Sequence, residues 1–234
     1  MIKYLKINFV YFFSKKNIIC LGLCLVFTIG MNIFITMSNL NLNISSIEQQ
    51  NYTWESVYSF TKFINIILSC FLMNNFIIST NDNYKVLFII NLKNRNIYYI
   101  SKILTLLITI ISFVFLSFFI YVLVNLLCNK NYLLKIEYIK GFLSILFVSF
   151  VFGIISLIIT KFLDNSICVI IPIVVYICSE FFEIRGKIIN TFFPNYTLEF
   201  IEKAFMFSAI HYFVLSAFYI ILFLCIIKDW DKKM

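Results

Sequence analysis

Asn81–Lys102 reads NDNYKVLFIINLKNRNIYYISK and lies between two long apolar runs. It carries four of the nineteen Lys and Arg of the chain: Lys85, Lys93, Arg95 and Lys102. That is too polar to cross a bilayer. Yet Val86-Leu87-Phe88-Ile89-Ile90 and Ile97-Tyr98-Tyr99-Ile100 make it more apolar than an ordinary loop. A short amphipathic helix on the inner face of a membrane, open to a partner protein, fits this pattern. A positively charged loop that only sets topology fits it equally well.

The runs on either side set the class. Downstream, Ile103 to Cys128 gives 26 residues without a charge, enough to cross a bilayer with tilt. Upstream, a second span is expected at about Tyr58 to Thr80, with Lys62 near its outer end and Asn65, Asn74 and Asn75 inside it. Those amides should face other helices, because lipid cannot satisfy them. The remaining spans are read at about Ile18 to Ser38, Gly141 to Thr160, Ser166 to Phe182 and Ala204 to Ile227. The fifth is short and carries Pro172.

The chain of 234 residues is 62% hydrophobic and 13% charged, more apolar than a soluble domain of this size requires. Its net charge of +8 could point to nucleic acid, but the charges fall in short segments between apolar runs, so no nucleic-acid partner is read. The seven cysteines lie in or at the ends of those runs and read as small buried hydrophobes. Cys20 and Cys24 are one helical turn apart, with no third ligand nearby to complete a metal site.

Before the first span, Met1 to Asn17 places Ile2, Leu5, Phe9, Phe12 and Phe13 on one helical face, as an interfacial amphipathic helix would. The first apolar run is too long for a signal peptide and lacks a good cleavage site. Residues 183–203 are amphipathic, and short helices at the outer surface, broken at Pro194, are expected there. With both termini, the 81–102 stretch and the 161–165 turn on one side, that side holds twelve Lys and Arg and the other holds seven. This bias makes the termini cytoplasmic. All four Asp then fall inside and all seven Glu outside, a split with no physical account. The fold expected is all-α and integral to the membrane: six transmembrane helices in one domain, 1–234, in a multi-pass chain. An Asn/Ile/Lys/Phe-rich composition fits an AT-rich bacterial genome, hence a bacterial cell membrane.

The order of a basic amphipathic start, a span, an outer loop, a polar second span and the segment YKVLFIINLKNRNIYYISKILTLLIT resembles the permease subunit of type-2 ABC exporters. That family includes small exporters and immunity transporters for bacterial peptides. The resemblance covers the whole chain in topology and rests, in residues, on 81–109 and the N-terminal segment. It implies a coupling helix near 83–92 that docks on a separate cytoplasmic ATPase, with Tyr84, Lys85, Val86, Leu87, Phe88, Ile89, Lys93 and Arg95 as coupling residues. It also implies a second permease chain, identical or different, with substrate passing outward between the two. ATP and Mg would be held by the partner. This chain has no G-x-x-x-x-G-K-[ST] and is read as carrying no catalytic residue and no cofactor of its own.

A second resemblance competes. Glu180, Arg185, Phe207 and His211 fit loosely the Glu-Glu-x-x-x-Arg and Phe-x-x-x-His motifs of intramembrane metal-dependent proteases that process prenylated proteins. However, Phe181 stands where the second Glu belongs, and His211 is the only histidine, so a metal would lack its ligands. A stand-alone membrane immunity or binding protein is a third reading. Lys62, Asn65, Asn74, Asn75, Glu180 and His211 are the candidate lining of an intramembrane polar or substrate path. Against this, Lys62 and Glu180 near span ends could snorkel to water, and His211 could serve as a helix–helix hydrogen-bonding group.

Overall fold

The computed structural model describes residues 5, 8, 13, 15–40, 45–78, 95–128, 132–163, 169–181, 192 and 195–230. Among the described residues six helices follow in order: α1 Lys15–Leu40, α2 Ser46–Ile78, α3 Arg95–Cys128, α4 Ile136–Leu163, α5 Ile170–Phe181 and α6 Leu198–Trp230. All but α5 are long and apolar enough to cross a membrane, which makes the chain a multi-pass helical membrane protein. At 12 residues, α5 reaches only about 18 Å, short of a hydrocarbon core of about 30 Å.

The elements begin where capping chemistry places them. At the head of α2, the Ser45 hydroxyl accepts from the Glu48 amide at 3.4 Å, and Glu48 Oε2 accepts from the Ser45 hydroxyl at 2.8 Å and from its amide at 3.4 Å. This capping box starts α2 about twelve residues before the apolar run that marked the second span. Thr197 caps α6 more weakly, taking the Phe200 amide at 3.4 Å. The first turns of α6 are set off from the rest by a kink at Ala204, where φ is −131° and ψ is 41°.

Burial separates the helices into a centre and a periphery. Within the apolar windows, 78% of α4 and 67% of α2 are buried, against 11% of α1 and 22% of α6. The α2–α4 contact is the most extensive in the bundle. It is close because small residues line it. A Cβ on Gly153 would sit 3.3 Å from Leu106 Cδ2 and 3.4 Å from Ser69 Cβ. Nearby, the Ser156 hydroxyl donates to the Cys70 carbonyl at 3.1 Å. At one end of the pair Trp54 lies among Tyr58, Tyr121, Tyr138 and Phe142, with ring centroids 4.8–5.6 Å away. Tyr132, in the connection before α4, joins this cluster, and burial pushes its phenol above the usual range.

The bundle core is largely apolar, but the inward face of α1 is polar and its outward face apolar. The buried residues of α1 are Asn17, Thr28, Asn32 and Thr36, whereas Leu23, Val26, Phe27, Phe34 and Met37 are exposed. Hydroxyls and amides are satisfied largely on their own helices. Thr28 donates to the Cys24 carbonyl, Asn32 to that of Thr28, Thr105 to that of Ser101 and Thr109 to that of Thr105, at 2.7–2.9 Å. Of the six cysteines described, all free, only Cys70 is buried; Cys225 is exposed and the others lie between, so the expectation of small buried hydrophobes holds for one.

Candidate functional site

Tyr58 and Lys62 are one turn apart on α2, and Tyr176 and Glu180 one turn apart on α5, so each pair shares a helix face. The fold brings those faces together. Lys62 Nζ lies 2.9 Å from Glu180 Oε1, and the Tyr176 hydroxyl donates to the same oxygen at 2.9 Å. The ammonium also donates to Asn195 Oδ1 and, at 3.3 Å, to the Tyr196 carbonyl. It stands 5.7 Å from the Tyr58 ring centroid and 5.6 Å from that of Tyr176. Asn195 Nδ2 in turn donates to the Ser179 hydroxyl at 2.9 Å, which fastens residue 195 to α5 as well as to α2.

His211 extends the network onto α6. Its Nδ1 shares a hydrogen bond with the Tyr196 hydroxyl, and the Tyr196 ring meets Tyr212 edge-on at 5.5 Å between centroids. Tyr58 and Tyr212 are buried, with the Ser144 side chain of α4 beside both phenols. Four helices and the 195–197 segment therefore converge on one polar centre built from Lys62, Glu180, Asn195, Tyr196 and His211.

One expectation is corrected by this geometry. Lys62 does not snorkel: because α2 starts at Ser46, it lies about half-way along a 33-residue helix, and its side chain is 3% exposed. At the end of the connection between α5 and α6, Asn195 is buried against α2 and α5, whereas Glu199 and Lys203 in the first turns of α6 are exposed. The Phe192 carbonyl accepts from the Tyr219 hydroxyl at 2.7 Å, and Tyr219 is about 22 Å along α6 from the Ala204 kink. Phe192 itself is helical and 48% exposed, whereas Asn195, which is non-helical, is 8% exposed.

The other sequence-derived residues fare differently. Asn65 is buried, but its amide donates to the Thr61 carbonyl of its own helix at 2.8 Å rather than across the bundle. Asn74 and Asn75 lie in the last turns of α2, with side chains outside the described set. Tyr84, Lys85, Val86, Leu87, Phe88, Ile89 and Lys93 lie outside the described residues; Arg95 opens α3, its side chain undescribed. Most of Met1 to Asn17 and of 183–203 before Leu198 is likewise outside. Arg185 of the protease-like pattern is among the latter; Glu180 is engaged with Lys62, and His211 with Tyr196. Among the described residues, no group of three His, Cys, Asp or Glu gathers as metal ligands.

Near the opposite end of α2, two further features matter. Asn8 of the N-terminal segment is buried and donates to the Ser101 hydroxyl of α3. Lys102 is also buried, with its ammonium 5.7 Å from the Tyr99 ring centroid. The chain matches no protein-family model, no curated protein and no solved structure.

Proposed function

We propose that this chain is the permease subunit of an ATP-driven exporter, moving a peptide or other amphipathic substrate outward with a separate ATPase and a second permease chain. Both termini lie in the cytoplasm in this reading, and six passages cross a bacterial membrane. The observation that carries it is the start of α3. The helix already runs at Arg95, eight residues before the uncharged span, and the N-terminal segment packs there through Asn8 and Ser101. The described parts of the two segments on which the resemblance rests, Asn8 and residues 95–109, therefore meet at one end of the bundle. That end is where an ATPase would dock, and movement of 81–94 would pass directly into α3. At the middle of the bundle the polar centre around Lys62 offers what an apolar wall could not: hydrogen-bonding groups beside a substrate path.

The test is purification of the tagged chain in mild detergent from its own host, with identification of what accompanies it. A stoichiometric ATPase bearing a phosphate-binding loop is expected. Val86→Asp with Leu87→Asp should remove that ATPase while membrane insertion stays normal. A complex that assembles unchanged in the double variant would end the coupling assignment, and a monodisperse chain without any ATPase would end the exporter reading.

A further inference from the structure

We infer that Lys62 is a latch: it holds α5 and the 195–197 segment against the middle of α2, and loss of the negative charge at Glu180 frees α5 while the α2–α4 core stays packed. This is a property of the chain alone and does not depend on an ATPase partner.

Four observations lead to it. First, α5 is the element most lightly held among the packed helices, touching α2 and α4 over a short length. Second, the two halves of the ion pair are unequal. The Lys62 side chain is 3% exposed and the Glu180 side chain 37%, so the cation is fixed in the protein and the carboxylate is the half that can leave. Third, two of the ammonium's acceptors, Asn195 Oδ1 and the Tyr196 carbonyl, are neutral, whereas Glu180 brings a formal negative charge. Neutralising Glu180 weakens compensation of a buried cation, which is the costly way to break such a pair. Fourth, α2 is secured elsewhere, by Trp54 at one end and by Ser69, Cys70, Gly153 and Ser156 toward the other, so disruption at Lys62 has no reason to spread.

The chain carries its own reporters. Cys178 lies on α5, half-buried and two residues before Glu180, and Cys70 is fully buried in the α2–α4 contact. The full-length protein in lipid nanodiscs is treated with a hydrophilic maleimide, and labelling at each cysteine is followed by peptide mass spectrometry. In Glu180→Gln, Cys178 should react roughly tenfold faster than in the wild type, with Cys70 still protected, as expected for a local opening. Tyr176→Phe keeps both charges and removes one donor to the carboxylate; it should raise the Cys178 rate by about threefold. Glu180→Asp, which keeps the charge, should stay near the wild type. Unchanged Cys178 rates in both Glu180→Gln and Tyr176→Phe would overturn the latch. Labelling of Cys70 together with Cys178 would also overturn it, by showing a brace for the whole bundle rather than a local release.

Discussion

At the scale of single residues, the firmest constraint is steric. Gly141 lies under the Trp54 indole: a Cβ there would stand 2.4 Å from Cζ2 and 2.8 Å from Cη2. The indole cannot retreat freely, because Tyr58, Tyr121, Tyr138 and Phe142 surround it. Gly141→Ala should therefore destabilise the bundle by about 1–3 kcal/mol, the usual cost of overpacking a dense core. Thermal unfolding in detergent, followed by tryptophan fluorescence, measures it. Gly30→Ala is the control, since nothing lies within 4 Å of its added Cβ; it should melt at or slightly above the wild-type temperature. Equal melting of both variants with the wild type would mean that Trp54 is not held where it is described. Neither outcome is legible in the sequence, which shows a glycine at the head of an apolar run and no sign of which ring covers it. The Lys62 centre was half legible. Its i,i+4 pairs, Tyr58 with Lys62 and Tyr176 with Glu180, are visible in the sequence. Their meeting, and the arrival of Asn195 and Tyr196 from the amphipathic segment between the fifth and sixth spans, is set by tertiary packing.

At the scale of elements, hydropathy located the spans, and capping decided where the helices begin. Residues 46–57 are polar, so an apolar-window reading stops short of them, yet Ser45-Ser46-Ile47-Glu48 is an S-x-x-E capping box. Missing that signal displaced Lys62 from the middle of α2 to its end. The extension has a measurable period. Asn51, Tyr52, Glu55 and Ser56 are exposed, while Thr53, Trp54, Val57 and Tyr58 are buried. Spin labels placed singly at 51, 52, 55 and 56 should be mobile and those at 53 and 57 immobile, with the helical repeat of about 3.6 residues. Uniform mobility through 51–57 would return this stretch to a loop. Ser45→Ala, which removes the cap, should cost about 1 kcal/mol of order in the first turn, read as rising label mobility at 51 before any change at 57.

At the scale of the whole molecule, the question is which side the ends lie on. Among the described residues the long helices number five, and five crossings would put the termini on opposite sides; α5 must complete a sixth for them to share one. Two contacts bear on that sixth passage. The C-terminal end of α5 meets Lys62, so within its 12 residues it reaches the middle of the bundle. Before α6 starts, the Phe192 carbonyl accepts from the Tyr219 hydroxyl, about 22 Å past the Ala204 kink. The distribution of Lys and Arg, twelve against seven, assumes the same arrangement. Reporter fusions decide it in cells. Green fluorescent protein after Met234 should fluoresce, since it matures only on the cytoplasmic side, and alkaline phosphatase fused after Lys140 or Lys187 should be active outside. A dark C-terminal fusion, with phosphatase active there instead, would mean that α5 turns back without crossing. The polar centre would then be a pocket open to one side only, and an outward path past Lys62 would have no second mouth.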